Sequence, residues 1–104
     1  MLSKRFSEEV AVALLTTSSS PEIDISHYSS GEVFVPNGTP IGTITWFTAS
    51  PAGTYFAAYD ATPAAITQTV VQNRSYPIPP ALFGAAKIQA RVDVAGSVRI
   101  SLKS

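Results

Sequence analysis

Proline and glycine interrupt this chain so often that little room remains for a helix between Pro21 and Gly84. Proline removes a backbone donor and disfavours helix interiors, and glycine costs stability there. The short segments between these residues are rich in β-branched and aromatic side chains. Such segments, bounded by turn residues, are typical of sandwiches and barrels. We therefore predict an all-β fold, a single β-sandwich (jelly-roll or Ig-like) of seven to eight short, mostly antiparallel strands.

Strict alternation of apolar and polar residues is clearest at the C-terminal end of the sequence. Residues 87–94 and 97–103 alternate in this way, and Ala95 and Gly96 separate them. Because glycine readily supplies the backbone of a tight turn, we expect these two strands to pair as a short antiparallel hairpin. The period of two predicts one shared buried face, made of Ile88, Ala90, Val92, Val98, Ile100 and Leu102.

Further elements are expected upstream of this pair. The pattern predicts a single helical turn over Pro79–Gly84 that closes one end of the sandwich with Leu82 and Phe83, since proline suits the first turn and glycine the end. The predicted upstream strands are Glu22–Ser26, Glu32–Val35, Ile41–Ala49, Thr54–Asp60 and Ile66–Val71.

Residues 1–20 allow two interpretations, and we place them apart from the sandwich domain of residues 21–104. Ser7 followed by Glu8 and Glu9 could begin a helix, because acids are favourable in a first turn. The alternation of Val10, Val12 and Leu14 instead favours an N-terminal arm or edge strand, which we prefer. The apolar run 10–15 is too short for a signal peptide or a membrane span.

Composition excludes several functional classes. The 104 residues fit one domain, and the absence of cysteine removes disulfides and thiolate chemistry. A net charge of zero argues against binding nucleic acid, since such proteins usually carry a basic excess. Only 13% of the residues are charged, about half the usual share. So neutral a surface suggests a protein packed against neighbours, including further copies of itself.

Catalytic residues do not form a recognisable pattern. His27 is the single histidine, and a triad with Asp24 or Asp60 and one of many serines would have no specific sequence context. Glu22 and Asp24 are expected to share one face of a strand edge in solvent. Zinc needs three or four suitable ligands, and the glycines match no phosphate-binding motif. We therefore expect no enzyme activity, no cofactor and no metal.

Charge is distributed unevenly along the chain. Between Phe6 and Asn73 there are six acidic residues and no lysine or arginine, whereas five basic residues and one acid follow. One interpretation is that acidic and basic strands pair inside one domain. The other is a bipolar molecule whose basic face meets an acidic face of a neighbouring copy.

Aromatic residues cluster on two consecutive predicted strands. Trp46 shares a face with Ile44 and is expected to anchor the core, while Phe47 lies on the opposite face among threonines. Tyr55 and Tyr59 likewise share one face of the next strand. The outward-facing set would form a flat, threonine-rich surface suited to a sugar or to another protein.

A pattern extends across residues 22–104, which are most of the chain. It consists of Gly31–Thr39, Ile44–Phe47, Gly53–Phe56, Ala58–Asp60, Arg74–Gly84 and Ser101–Ser104. It resembles small virion structural proteins of bacteriophages and prophages. This resemblance implies an all-β virion component, closest in character to a capsid decoration (cement) protein, with no functional residues carried over.

The sequence therefore predicts a virion protein, made in the host cytoplasm, that binds and stabilises the phage head shell. Its expected partners are the major capsid protein or other virion proteins and further copies of itself, with no nucleic acid and no membrane. The alternative is a carbohydrate- or receptor-binding module of a tail or fibre that uses Trp46 and nearby tyrosines. The candidate protein-interaction residues are Phe6, Val10, Val12, Leu14, Phe47, Tyr55 and Tyr59.

Overall fold

The fold is a sandwich of two antiparallel sheets, seen in a computed structural model that describes residues 7–17 and 20–103, with side chains from Leu15 onward. This confirms the predicted β-sandwich, with nine strands in the described residues in place of the seven or eight expected. The strands are β1 (Ser7–Leu15), β2 (Ile23–Asp24), β3 (Ser30–Val35), β4 (Thr43–Ala49), β5 (Tyr55–Ala57), β6 (Thr67–Thr69), β7 (Arg74–Pro77), β8 (Lys87–Val92) and β9 (Gly96–Lys103).

The two sheets divide the strands unequally. The first sheet has the order β1-β9-β3-β7, so β9 and β3 are central and β1 forms one edge. The second sheet has the order β2-β8-β4-β5, and the short strand β6 also pairs with β4. Strand β4 therefore holds the second sheet together, because it pairs with β8 on one side and with β5 and β6 on the other.

The predicted hairpin of the last two strands is wrong, because β8 and β9 belong to different sheets. Strand β8 pairs with β2 and β4, and β9 pairs with β1 and β3. The turn between them carries the chain across the core, so that their apolar faces stack. Asp93 fixes this corner, since its Oδ1 accepts hydrogen bonds from the backbone N–H groups of Gly42, Thr43 and Val94.

The buried face predicted for these two strands is confirmed. Its six residues are all buried, and the remaining core residues come from both sheets and the connecting loops. Trp46 is fully buried, as expected of a core anchor, and burial of so large a side chain contributes about 1.5–3 kcal/mol or more to folding. Its indole N–H donates to Gln68 Oε1 at 2.8 Å, which satisfies its one polar group.

A 3₁₀ helix at Pro80–Gly84 closes one end of the sandwich. Leu82 is buried in the core and Phe83 packs against it while half-buried. The helical turn expected from the sequence is therefore confirmed, and its role is to cover the ends of both apolar faces.

Strand β1 lies within residues 1–20, where we preferred an N-terminal arm or edge strand, whereas β7 lies where we expected no strand. Ser7–Leu15 forms a strand that pairs with β9 from Ser7 opposite Lys103 to Leu15 opposite Gly96. Strand β7 was not predicted, because four residues that begin with Arg74 and end with Pro77 carry little apolar alternation. It forms at the edge of the first sheet through its pairing with β3, where proline is tolerated.

Candidate interaction site

The outer face of the second sheet carries the aromatic and threonine residues that the sequence singled out. Along β4, Thr43, Thr45 and Phe47 are half-buried, and they alternate with the fully buried Ile44 and Trp46. Alternation on a strand places the first three on one face. The expected separation of Trp46 from Phe47 is therefore confirmed.

The strands on either side of β4 extend this outer face. Phe47 lies opposite Gln89 of β8 and Ala57 of β5. Two residues earlier on β4, Thr45 lies opposite Arg91 of β8 on one side and opposite Thr67 of β6 on the other. A threonine-rich surface with one aromatic ring and one cation thus spans four strands.

Arg91 is held in a defined position on this face. Its guanidinium carbon lies 3.9 Å from the centre of the Phe47 ring, a geometry that stabilises the cation over the ring. Its Nε donates to Gln89 Oε1 at 2.8 Å. Gln89 Nε2 in turn donates to the carbonyl oxygen of Ser20 at 2.6 Å. Gln89 is 8% exposed, so this support comes from a buried side chain.

The segment before β2 covers part of the same face. The Ser20 hydroxyl accepts from the Thr16 N–H and donates to the Thr16 carbonyl oxygen, which makes a closed turn. The Thr16 carbonyl also accepts from the Val92 N–H at 3.1 Å. The chain therefore passes from the first sheet onto the second beside β8, and it buries Gln89 there.

These residues surround a shallow pocket of about 260 Å³, which we call the Arg91 pocket. Threonine hydroxyls, one phenyl ring and one guanidinium line this pocket, together with the Asp93 carboxylate, whose Oδ1 is bound to backbone N–H groups. The lining residues are Thr17, Thr43, Thr45, Phe47, Arg91, Val92 and Asp93.

Tyr55 lies on the same face as Phe47, because it pairs with Ala49, two residues along β4. Its hydroxyl donates to Glu22 Oε2 at 2.9 Å. Burial, together with this hydrogen bond and the charge of Glu22, raises the pKa of Tyr55 to about 12. Tyr55 is half-buried, and its bond to Glu22 connects β5 with the segment that precedes β2.

Tyr59 lies apart from Phe47 and Tyr55, beyond the end of β5. It is 61% exposed and forms an isolated bridge with Ala65. Tyr59 lines a groove of about 390 Å³, together with alanines, Ile66 and the buried Leu82 of the 3₁₀ helix. Phe56, which was not among the predicted contact residues, is 58% exposed on β5. The predicted aromatic set therefore divides between the face and the edge of the sheet.

The remaining predicted contact residues are near the N-terminus. Phe6 lies outside the described residues, as do the side chains of Val10, Val12 and Leu14. The backbone of the last three belongs to β1, at the edge of the first sheet. Of the predicted contact residues, Phe47 and Tyr55 therefore lie together on the outer face of the second sheet. The N-terminal residues of β1 lie in the first sheet, apart from that face.

Asp24 and Asp60 accept hydrogen bonds from residues close to them in the sequence. His27 is exposed in the turn after β2. The Ser26 hydroxyl and N–H hold the pKa of Asp24 below its usual value, with a smaller effect from Lys87. Lys87 lies directly opposite Asp24 on β8. Hydrogen bonds from Thr62 and Ala64 likewise lower the pKa of Asp60.

Among the side chains that the structure describes, in residues 15–17 and 20–103, no three from His, Asp or Glu come together as a possible metal site. No helix in the same residues has the length and apolar character needed to cross a bilayer.

Sequence reasoning missed the residues that fix Arg91. Strand periodicity places Gln89 and Arg91 on the face opposite the core, yet Arg91 is half-buried and Gln89 is buried. The signal for this was weak, because Gln89 is covered by Ser20, a residue 69 positions away. Alternation within β8 could not indicate that contact.

Comparison with known proteins supports the fold. No protein-family model matches the sequence, and no curated protein matches it. Among solved structures, the chain is similar to the crystal structure of the SPBc2 prophage-derived protein YomS, with a TM-score of 0.67 and 13% sequence identity. The match covers 100% of this chain and 98% of that one. The chain therefore shares its whole β-sandwich with a protein derived from a prophage.

Proposed function

We propose that this chain is a phage virion structural protein, and more specifically a capsid decoration protein that binds and stabilises the head shell. The observation that carries the proposal is the full-length likeness to a prophage-derived protein. This likeness agrees with the resemblance of the sequence to phage proteins.

The outer face of the second sheet supports a role in protein binding. It presents Phe47, Arg91 and threonines with few charges, and aromatic residues and arginine are enriched where proteins meet. Phe34, which is 40% exposed on the first sheet, gives a matched aromatic position away from this face. Attachment through the second sheet would leave the edge strand β1 accessible to neighbouring copies of the chain.

A carbohydrate-binding module of a tail or fibre has less support. That alternative relied on Trp46 and nearby tyrosines. Trp46 is fully buried with its N–H bound to Gln68, and the Tyr55 hydroxyl is bound to Glu22. A sugar would have to stack on Tyr59 or Phe56 at the sheet edge instead.

Co-sedimentation with purified phage parts tests the proposal. The full chain is mixed with heads of the encoding phage that have been stripped of decoration proteins, and separately with purified tails. We expect saturable, stoichiometric binding to heads and none to tails. Phe47→Ser should weaken head binding, whereas the matched Phe34→Ser should not. Binding to tails alone, or to neither part, would overturn the decoration role.

The contribution of the N-terminus needs a narrow truncation. Removing residues 1–20 would delete β1, which pairs with β9 along the edge of the first sheet, and would damage the fold itself. Removing residues 2–6 leaves β1 intact. If the N-terminus acts as an arm, this shorter deletion should weaken head binding without lowering the midpoint of thermal unfolding.

A further inference from the structure

The Arg91 pocket contains an arginine whose position is fixed before any partner arrives. The Phe47 ring lies beneath its guanidinium at 3.9 Å, and Gln89 Oε1 accepts from its Nε. Gln89 is itself held by the Ser20 carbonyl. An arginine on an open sheet face normally samples many rotamers, and ordering it costs on the order of 1–2 kcal/mol. Here that ordering is already achieved in the free protein.

The bonds that fix Arg91 leave its outer edge available. Only Nε donates a hydrogen bond within the described part of the chain, so both terminal amino groups, Nη1 and Nη2, remain as donors. Two parallel N–H donors match the two oxygens of a carboxylate. Thr43 and Thr45 line the same pocket, and their hydroxyls can donate to an anion beside the guanidinium.

Asp93 is the acidic residue that lines this pocket, and one of its carboxylate oxygens is already bound to the backbone. Its Oδ1 accepts three backbone N–H groups, from Gly42, Thr43 and Val94. It forms no ion pair with Arg91 among the described residues. These hydrogen bonds favour the ionised form of Asp93, and they engage its Oδ1 with backbone donors instead of with the Arg91 guanidinium.

We infer that the Arg91 pocket binds the carboxylate of an aspartate or glutamate side chain of a partner protein, with the two oxygens on Nη1 and Nη2. A protein-borne carboxylate fits better than a small free anion, because the pocket is shallow and lies on a sheet face that a partner surface would cover. Covering this face excludes water from the ion pair and strengthens it. In the virion this partner would be the shell protein, a step that rests on the proposed function.

Nuclear magnetic resonance on the full chain tests the pocket without any phage part. The probe is the blocked tripeptide acetyl-Gly-Glu-Gly-amide, and the matched control is the same tripeptide with glutamine. We expect the glutamate peptide to shift the Arg91 Nε–Hε signal and the Thr43 and Thr45 amides in a saturable way. Arg91→Lys keeps the charge but cannot bind a carboxylate in the bidentate way, so the affinity of this variant for the glutamate peptide should fall on the order of tenfold. Arg74→Lys, on the first sheet, should leave the affinity unchanged.

Two results would overturn the inference. One is equal shifts with the glutamine peptide, and the other is equal binding by Arg91→Lys at an unchanged thermal midpoint. Sodium acetate as a further probe separates a general anion site from a peptide-borne one, because acetate that binds as well as the tripeptide would contradict the proposed protein partner.

Co-sedimentation with stripped heads then separates this inference from the proposed function. If the wild-type chain and Arg91→Lys bind heads equally, the pocket is not the contact while the decoration role stands. If the wild-type chain ignores heads but binds the glutamate tripeptide, the pocket stands and the decoration role fails.

Discussion

The guanidinium carbon of Arg91 on β8 lies 3.9 Å from the ring centre of Phe47 on β4. These strands are neighbours in the second sheet. The contact between Arg91 and Phe47 therefore joins two paired strands through their side chains, and it also forms part of the outer face of that sheet. We expect it to contribute to stability as well as to binding. A double-mutant cycle with Phe47→Leu and Arg91→Gln should give a coupling energy of about 0.5–1 kcal/mol in urea unfolding. Additive effects of the two changes would contradict a stabilising contact.

Gln68 connects the two sheets through its side chain. Its Oε1 accepts from the Trp46 indole at 2.8 Å, and its Nε2 donates to the Pro77 carbonyl at 2.8 Å. Gln68→Ala leaves the buried indole N–H without its partner, so we expect a loss of about 1–3 kcal/mol in unfolding free energy. Thr67→Ala, at the exposed neighbouring position, should cost much less. Equal effects of the two variants would show that the Gln68 bonds contribute nothing.

Gly31 lies where no side chain fits. A Cβ built there would approach Ile78 Cδ1 at 2.8 Å, Leu102 Cδ2 at 2.9 Å and the Ser101 carbonyl oxygen at 2.9 Å. Gly31→Ala should therefore destabilise the fold by about 1–3 kcal/mol through overpacking. Gly84→Ala is the matched control, since nothing lies within 4 Å of its added Cβ. The thermal midpoints of the two variants, measured by circular dichroism, check this, and a neutral Gly31→Ala would contradict the packing described.

Asp93 should make the fold sensitive to acid. The N–H groups of Gly42 and Thr43, which lead the causes, hold the pKa of Asp93 below its ordinary 3.8 in the folded chain. A lowered pKa contributes stability that is present above 3.8 and lost as pH falls through the folded value. Asp93→Asn keeps an acceptor oxygen but cannot titrate.

The measurement for Asp93 is the thermal midpoint between about pH 5 and about pH 2. The wild-type midpoint should fall more steeply with acid than that of Asp93→Asn. Parallel curves would mean that the carboxylate does not hold the corner between β8 and β9.

Local alternation predicted which residues are buried far better than it predicted which strands pair. The faces of β8 and β9 were correct because a period of two depends only on neighbouring residues. Their placement in different sheets could not be predicted from the local sequence, because Ala95 and Gly96 suit a hairpin and a crossing between sheets equally well. The corner is decided by Asp93 binding the N–H groups of Gly42 and Thr43, about 50 residues away.

The candidate site was predictable in part for the same reason. Strand periodicity separated Phe47 from Trp46 within one strand and grouped Tyr55 with Tyr59 in the next, but the pairing of β4 with β5 is what places Phe47 and Tyr55 on one face. The fixed position of Arg91 depends on Ser20 covering Gln89, a contact between distant segments that no local pattern carries. The N-terminal contact residues Val10, Val12 and Leu14 stay predictions, because their side chains lie outside those described.

The most direct test of the decoration role is the stability of the phage head itself. Heads of the encoding phage made without this protein are heated, and DNA release is followed with and without added purified chain. We predict release at a lower temperature in its absence and recovery when the chain is added at saturating concentration, with weaker recovery by Phe47→Ser than by Phe34→Ser. Identical release curves for heads with and without the protein would contradict a role in stabilising the shell.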